Sequence, residues 1–193
     1  MIQQTPSRRE QLVLFARNFF KHPRMLGSLI PSSRFLINQV LGQIDWGRAR
    51  VVVEYGPGVG TFTSEILRRL PADGTLLVVE TNREFVEFLR GSLRDSRLHV
   101  VHGSAAEVGR HLAELGLERA DYIISGIPFS TMPQEVREGI LRSTREALQP
   151  DGAFLVYQFS PKVQPDLENE FSEVQRSFEP LNILPAQLFF CLP

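Results

Sequence analysis

The sequence predicts an α/β fold with a mostly parallel sheet and an antiparallel edge. Short apolar runs of strand length alternate with amphipathic segments of helical length over most of the 193 residues, a pattern typical of parallel strands joined by crossover helices. Turn-forming clusters such as Pro71–Gly74 separate these segments. The last two strand patterns follow one another at the end of the chain, so we expect them to form an antiparallel edge.

Each predicted element follows from its local pattern. The first strand, 51–55, begins with three valines, and the helix after it is expected to stop at Pro71–Gly74. The turn Gln149–Gly152 likewise ends a helix and precedes the fifth strand. The expected helices are 35–44, 62–70, 84–93, 105–115, 133–148 and 166–171. The expected strands are 51–55, 75–80, 98–102, 121–125, 153–159, 174–178 and 188–192.

The segment between the first strand and its helix is rich in glycine. It reads Glu54-Tyr55-Gly56-Pro57-Gly58-Val59-Gly60-Thr61. Glycines at such a turn let the backbone approach a ligand closely, and free amide groups at the helix start can bind its polar groups. Glu80 ends the second strand 20 residues after Gly60, where a carboxylate can accept both hydroxyls of a ribose. The spacing therefore predicts a nucleoside-containing cofactor.

Two details favour a cationic ligand over a dinucleotide. Thr61 stands where the dinucleotide fingerprint has its third glycine, and Glu54 comes just before the loop. An acid at this place repels a pyrophosphate and attracts a positive charge. These positions resemble the class I S-adenosylmethionine-dependent methyltransferases, whose cofactor carries a sulfonium and an ammonium. The alternative is a glycine turn that serves only a tight corner between strand and helix.

The resemblance implies a Rossmann-like, seven-stranded fold that binds S-adenosyl-L-methionine and releases S-adenosyl-L-homocysteine. The residues implied to bind the cofactor are Glu54, Tyr55, Gly56, Gly58, Gly60, Thr61, Glu80, Thr81, Ser104, Ala105 and Ser125. The chain departs from the family at Gly103-Ser104-Ala105, where many relatives have an acid that holds the adenine amino group. Ser104 is then the residue that could hydrogen-bond the adenine.

A second motif, Ser125-Gly126-Ile127-Pro128-Phe129, follows the fourth predicted strand. Ligands of open parallel sheets bind at the carboxyl ends of the strands, so this loop should face the glycine loop. In amino-methylating members of the superfamily, a similar loop holds the target nitrogen with a backbone carbonyl, a polar side chain and an aromatic ring. The resemblance gives these roles to Ser125, Ile127 and Phe129, and Tyr157 is a further candidate for contacting the amine. The alternative is a proline turn with a core phenylalanine.

The segment from Phe19 to Leu36, together with both loops, resembles the bacterial phospholipid N-methyltransferases of the soluble, rhizobial type. The resemblance implies stepwise methylation of phosphatidylethanolamine to phosphatidylcholine at the inner membrane surface. Ribosomal RNA adenine dimethyltransferases have similar loops, so N6-methylation of RNA adenine is the second hypothesis. The chain ends at Pro193, just after the last predicted strand, where the RNA enzymes continue into a helical domain. A non-catalytic membrane adaptor with a cofactor fold is the third hypothesis.

The first 34 residues carry six basic residues and one acid, a net charge of +5, whereas the rest of the chain has −6. Apolar and basic residues alternate there at helical spacing, which predicts a basic amphipathic helix lying on an anionic membrane. The alternatives are a core-packing helix with a basic outer face, or contact with nucleic-acid phosphates. The residues assigned to substrate or membrane are Arg8, Arg9, Phe15, Arg17, Phe19, Phe20, Lys21, Arg24, Ser32, Ser33 and Arg34. The last four are candidates for binding either the lipid phosphate or the cofactor carboxylate.

Other features set the expected context. Cys191, the single cysteine, lies among apolar residues and is expected to be a core thiol, and the four histidines show no metal-ligand spacing. We expect no metal, and we expect an N-terminal extension at 1–44 followed by the cofactor-binding domain at 45–193. The sequence shows no cleavable signal peptide and no membrane-spanning apolar run, which predicts a cytoplasmic protein with peripheral attachment to the inner membrane.

Overall fold

The computed structural model describes residues 32–182 and 184–193, which form a sheet with helices on both faces. Its strands are β1 (Val51–Tyr55), β2 (Thr75–Glu80), β3 (Leu98–His102), β4 (Ala120–Ser125), β5 (Leu148–Gln158), β6 (Glu173–Glu179) and β7 (Ala186–Leu192). Its α-helices are α1 (Arg34–Leu41), α2 (Thr61–Arg69), α3 (Arg83–Ser92), α4 (Val108–Glu114), α5 (Gln134–Ala147) and α6 (Gln164–Glu170). Short 3₁₀ turns lie at Ala105–Glu107, Phe129–Thr131 and Pro161–Val163.

The sheet has the strand order β3-β2-β1-β4-β5-β7-β6. Strands β1 to β5 run parallel to one another, whereas β7 pairs antiparallel with both β5 and β6. The chain order reverses direction across the sheet at β1, which has β2 on one side and β4 on the other. This confirms the predicted seven-stranded α/β fold with an antiparallel edge, and it makes the carboxyl ends of β1, β2 and β4 the expected ligand crevice.

Most predicted bounds agree with the structure to within a residue or two, and three differ by more. The predicted helix 35–44 ends at Leu41, three residues early, and Gly42 caps it. The predicted helix 105–115 is split, because Ser104 caps a 3₁₀ turn before α4 begins. Strand β5 begins at Leu148 rather than at residue 153, because Leu148 already pairs with Ala120 ahead of a register shift in β4. The predicted turn Gln149–Gly152 therefore belongs to an irregular stretch of β5.

Two apolar cores cover the two faces of the sheet. Alternate residues of β1 divide between them, so that Val52 faces α1, α2 and α3 while Val53 faces α4, α5 and α6. Cys191 is fully buried in the second core, and burial raises the pKa of its thiol to about 12. It is a core thiol, as the sequence indicated.

Helix α1 packs its buried residues Leu36, Ile37, Val40 and Leu41 into the same core as α2. The described part of the predicted N-terminal extension is therefore joined to the sheet. Within residues 32–182 and 184–193, every helix is too short or too polar to cross a membrane. The other residues assigned to the membrane lie outside the described part of the chain: Arg8, Arg9, Phe15, Arg17, Phe19, Phe20, Lys21 and Arg24.

Candidate active site

A cavity of about 320 Å³ opens at the carboxyl ends of the parallel strands. The structure brings several predicted site residues together in its wall: Tyr55, Gly56, Gly58, Glu80, Thr81, Ser104, Ala105 and Ile127. Other predicted residues lie behind or beside the wall rather than in it: Glu54, Gly60, Thr61, Ser125, Phe129 and Tyr157. The volume suits one ligand of cofactor size.

The glycine loop takes a backbone path that L-residues rarely adopt. Gly56, Gly58 and Gly60 have φ values of 66°, 56° and 78°. At Gly56 a side chain is also excluded by space, because a Cβ there would come 2.6 Å from Cγ2 of Ile127. The absence of that Cβ lets the glycine loop and the loop after β4 pack directly on each other. Cofactor loop and predicted substrate loop therefore form one wall of the cavity.

Glu80 lies at the end of β2 with its carboxylate in the cavity wall. One oxygen accepts a hydrogen bond from the amide of Gly58 at 3.3 Å, and the other from the amide of Asn82 at 2.8 Å. Burial raises the pKa of Glu80, and these amides oppose the shift. The amide and the hydroxyl of Thr81 also hydrogen-bond this carboxylate, so the hydroxyls of a ribose would share its acceptor positions with these donors. The geometry suits the nucleoside contact expected from the sequence.

Glu54 is buried on the opposite face of β1 from Tyr55 and is not among the residues that line the cavity. Its carboxyl accepts a 2.7 Å hydrogen bond from the Thr63 hydroxyl. Burial and, to a smaller extent, the charge of Glu80 raise the pKa of Glu54, and the hydrogen bond from Thr63 lowers it. Together these effects bring the pKa to about 8. A cation bound nearby would favour the ionised form. A role for Glu54 in attracting the cofactor ammonium stays a prediction.

The wall after β3 contains Gly103, Ser104 and Ala105. The hydroxyl of Ser104 accepts a hydrogen bond from the amide of Ala106 at 3.2 Å, which caps the 3₁₀ turn. Behind this wall lies buried His111, whose two ring nitrogens have no hydrogen-bond partner among the described residues. A Cβ on Gly103 would come 2.6 Å from His111 Nε2, so the histidine ring packs closely against the backbone of the wall at this glycine. An adenine contact through Ser104 stays a prediction.

The far side of the cavity is apolar and was missed by sequence reasoning. It is formed by Phe85 of α3, by Met132, and by Val136 and Ile140 of α5. Apolar residues at these spacings on a helix predict a core face equally well, so the sequence held no signal that separates the two uses.

The loop after β4 is held by hydrogen bonds within the protein. The carbonyl oxygen of Ile127 accepts from Gln158 Nε2 at 2.7 Å and from the amide of Phe129 at 2.9 Å. The hydroxyl of buried Ser125 accepts from the amide of Ile127 at 3.4 Å. The Phe129 ring is fully buried and meets Phe154 edge to face, with centroids 6.4 Å apart. Direct contact of these groups with an acceptor nitrogen stays a prediction.

Tyr157 projects across this loop. Its ring stacks on Phe62 with centroids 4.9 Å apart, and a Cβ on Gly126 would overlap its hydroxyl. Burial and the charge of Glu54 raise the pKa of the Tyr157 hydroxyl, and a hydrogen bond with Ser32 opposes the shift. Tyr157 is therefore a neutral phenol at physiological pH.

Ser33 and Arg34 occupy the start of α1. The Ser33 hydroxyl accepts from the amide of Leu36 at 3.2 Å and so caps the helix. The Arg34 guanidinium lies 5.0 Å from the centroid of the Phe35 ring, a cation–π contact. Their predicted role in binding a lipid phosphate or the cofactor carboxylate stays a prediction.

The comparisons with known proteins agree with this geometry. The family model of the methyltransferase small domain matches residues 27–180. An ornithine lipid N-methyltransferase from Singulisphaera acidiphila is 36% identical over 180 residues, which are 92% of this chain and 94% of that protein. The chain belongs to the methyltransferase small domain family. Its cofactor is S-adenosyl-L-methionine and its product S-adenosyl-L-homocysteine.

More distant similarities add less. Ribosomal RNA small subunit methyltransferase A from Mycoplasma capricolum is 27% identical over 113 residues, 56% of this chain and 40% of that protein. The structure of Burkholderia thailandensis 1,6-didemethyltoxoflavin-N1-methyltransferase with bound S-adenosylhomocysteine has a TM-score of 0.61 and 14% identity, covering all of this methyltransferase and 92% of that chain. At this identity the match shows the shared fold.

The site fits this cofactor. Glu80 places a buried carboxylate beside the glycine loop, and Gly56 and Gly58 have no Cβ that would obstruct a ligand there. The wall opposite is apolar. Glu80 would hold the ribose, Gly56 and Gly58 would lie against the amino-acid part, and Ala105 would border the base. When bound, the cofactor supplies a methyl group already activated on a sulfonium.

We expect Glu80→Gln to weaken cofactor binding by about tenfold or more, because it removes the charge that strengthens hydrogen bonds to the ribose hydroxyls. Isothermal titration calorimetry with S-adenosylhomocysteine measures the effect. Glu87→Gln on the exposed side of α3 is the matched control and should bind as the parent does. Equal affinities in a folded Glu80→Gln variant and its parent would remove Glu80 from the cofactor site.

The raised pKa of Glu54 predicts a pH-dependent stability without cofactor. Between its ordinary value of 4.5 and about 8, the folded protein holds a proton that the unfolded chain has lost, so stability falls as pH rises. Glutamine cannot titrate, so the stability of Glu54→Gln relative to the parent should increase between about pH 6 and about pH 9. Urea denaturation at both values measures this. Exposed Glu118→Gln should show no such trend, and a Glu54→Gln difference that is constant with pH would contradict the prediction.

Proposed function

We propose that this methyltransferase transfers methyl groups to the amine of a membrane lipid. The observation that carries the proposal is the similarity to an ornithine lipid N-methyltransferase over nearly the full length of both proteins. A match of that extent includes the glycine loop, the loop after β4 and the start of α1. The similarity to the ribosomal RNA enzyme covers little more than half of this chain, so methylation of RNA adenine is the second candidate.

The acceptor class is a lipid whose headgroup ends in a primary alkyl amine. Ornithine lipid fits it, and so does phosphatidylethanolamine, which the sequence resemblance implied. Methylation of phosphatidylethanolamine toward phosphatidylcholine is thus the finer form of the proposal. Either lipid would be reached by peripheral attachment to the inner membrane surface, with the basic N-terminal arm as a contact.

The chemistry needs a neutral amine aligned with the cofactor methyl group. Attack on a sulfonium carbon is a displacement in line, so positioning and exclusion of water supply most of the acceleration. The protein surrounds the approach with apolar groups, Ile127 and Pro128, which disfavour a charged ammonium. The neutral phenol of Tyr157 can accept a hydrogen bond from the amine while its ring stays fixed on Phe62.

Aromatic rings beside the acceptor also suit the products. Each transfer leaves a more highly methylated nitrogen that carries a positive charge when protonated, and such groups bind well over ring faces. Tyr157 and Phe62 form a stacked pair close to the loop after β4. Phe62 is buried, so Tyr157 is the member of the pair that we assign to the methylated headgroup.

Direct assay tests the proposal. The parent protein and methyl-labelled cofactor are incubated in three separate reactions. The acceptors are vesicles containing phosphatidylethanolamine, vesicles containing ornithine lipid, and ribosomal RNA. We expect label in one or both lipids, because an alkyl amine fits the apolar approach better than a polyanion does. Label in RNA alone would support the second candidate, and vesicle binding with no label in any acceptor would support a non-catalytic adaptor.

Gly126→Ala tests the placement of Tyr157. The added methyl group overlaps the Tyr157 hydroxyl and must push the phenol away from the loop. We expect kcat on the lipid amine to fall on the order of tenfold or more, since misplacement near the reacting atoms is costly, while cofactor affinity changes little. Gly139→Ala is the matched control, because a Cβ on Gly139 meets nothing within 4 Å. Equal kcat in the two variants would make the Tyr157 position irrelevant to turnover.

A further inference from the structure

Four large apolar side chains lie exposed at one end of the described structure. Phe178, Leu181 and Leu184 belong to the end of β6 and the turn that joins it to β7, and Phe35 belongs to the first turn of α1. Their exposed fractions run from 41% to 61%. Elsewhere in residues 32–182 and 184–193, only Val136 is a large apolar side chain exposed to that degree, and it borders the cavity. We call Phe35, Phe178, Leu181 and Leu184 the tip cluster.

The tip cluster is one surface that wraps around the end of the β6–β7 hairpin. The amide of Ser33 donates a 2.8 Å hydrogen bond to Asn182 Oδ1, which ties the start of α1 to the turn. Phe178 pairs with Gln187, and its side chain lies on the same face of β6 as that of Arg176, two residues earlier. Arg176 donates a hydrogen bond to Gln164 of α6, so this is the face of the hairpin away from α1. Apolar side chains therefore project from the tip and from both of its sides.

Two hydrogen bonds within the described part of the turn pair some of its polar groups. Buried Glu179 accepts a 2.6 Å hydrogen bond from the amide of Leu181, and Asn182 Nδ2 donates to the carbonyl of Leu184 at 2.9 Å. Polar groups paired in this way can leave water at a much lower cost than unpaired ones. The turn can therefore enter an apolar environment without stranding these groups.

The tip cluster points the same way as the mouth of the cavity. The first residues of β7 pair with the last residues of β5, with Gln187 opposite Gln158. Gln158 in turn donates to the carbonyl of Ile127 in the loop after β4. The hairpin tip therefore extends beyond the carboxyl ends of the parallel strands, where the cavity opens.

We propose that the tip cluster inserts into a lipid surface and holds the cavity mouth against it. This inference rests on the proposed lipid amine acceptor. Charge favours a membrane as the occupant, because the Arg34 guanidinium lies over the Phe35 ring at the edge of the cluster, while the acid of the turn, Glu179, is buried. In this arrangement the apolar side chains of the cluster would enter the hydrocarbon layer, and the guanidinium of Arg34 would meet the anionic headgroups above it.

A single tryptophan placed in the cluster tests insertion. Trp46, the one tryptophan of the chain, is replaced by phenylalanine, and Leu181→Trp is added. With vesicles of phosphatidylethanolamine and phosphatidylglycerol we expect its emission to shift to the blue and to be quenched by brominated acyl chains. The control is Arg48→Trp in the same background, at the opposite end of the sheet, and its emission should not change. Emission already shifted without vesicles would mean that residues 1–31 or a second copy covers the cluster, and would overturn the proposal.

Co-sedimentation in the parent background gives an independent measurement. Leu181→Ser with Leu184→Ser should lower vesicle partition about tenfold or more, because two large apolar side chains no longer enter hydrocarbon. Arg34→Gln should lower it less, and only for anionic vesicles, with Arg48→Gln as its control. Melting curves verify that each variant is folded. Unchanged partition in the folded double variant would overturn the proposal.

Activity in detergent separates this inference from the proposed function. The folded double variant should methylate detergent-dispersed amine lipid at the parent rate and vesicle lipid about tenfold or more slowly, since only the second reaction needs insertion. A parent that inserts the tip but methylates no lipid would remove the acceptor assignment and leave the surface standing. A double variant as active as the parent on vesicle lipid would remove the surface and leave the acceptor assignment standing.

Discussion

The buried carboxylate of Glu80 joins the two strands on which the site depends. It ends β2, and its oxygens take hydrogen bonds from Gly58 of the glycine loop after β1 and from Asn82 before α3. A buried carboxylate is tolerated only with such donors; burial raises the pKa of Glu80, and hydrogen bonds from Asn82, Gly58 and Thr81 oppose the shift. Ribose hydroxyls would supply further donors. The bound cofactor would thus add hydrogen-bond donors to the buried carboxylate of Glu80.

A second buried acid, Glu54, lies on the adjacent strand. Glu54 of β1 pairs in register with Val78 of β2, while Tyr55 turns toward the cavity. Because Val78 and Glu80 are two residues apart, Glu54 and Glu80 lie on the same face of the sheet, on neighbouring strands. Each raises the cost of ionising the other, as the shift of Glu54 shows. A cofactor with a net positive charge relieves this repulsion, which a pyrophosphate would increase.

The sequence predicted those parts of the site that depend on backbone conformation. The valine run of β1 and the glycine loop have strong local signals, and their bounds were predicted correctly, as was the position of Glu80. Contacts between residues that are distant in sequence were harder to predict. Met132, Val136 and Ile140 form a cavity wall, and helical spacing alone does not distinguish such a wall from a core face. The start of β5 depended on pairing with Ala120 in a strand distant in sequence, which no local pattern encodes.

The size of the cavity constrains how a lipid could be an acceptor. A volume of about 320 Å³ lies at the lower end of the range for a single small ligand, roughly 300–1,000 Å³, and the cofactor would occupy it. The hydrocarbon chains of a lipid must then remain outside the protein. Only the headgroup can pass the loop after β4, at the end where the hairpin carries its exposed apolar side chains. A lipid acceptor thus requires a membrane-compatible surface at that end, whereas a water-soluble acceptor would leave those side chains without a function.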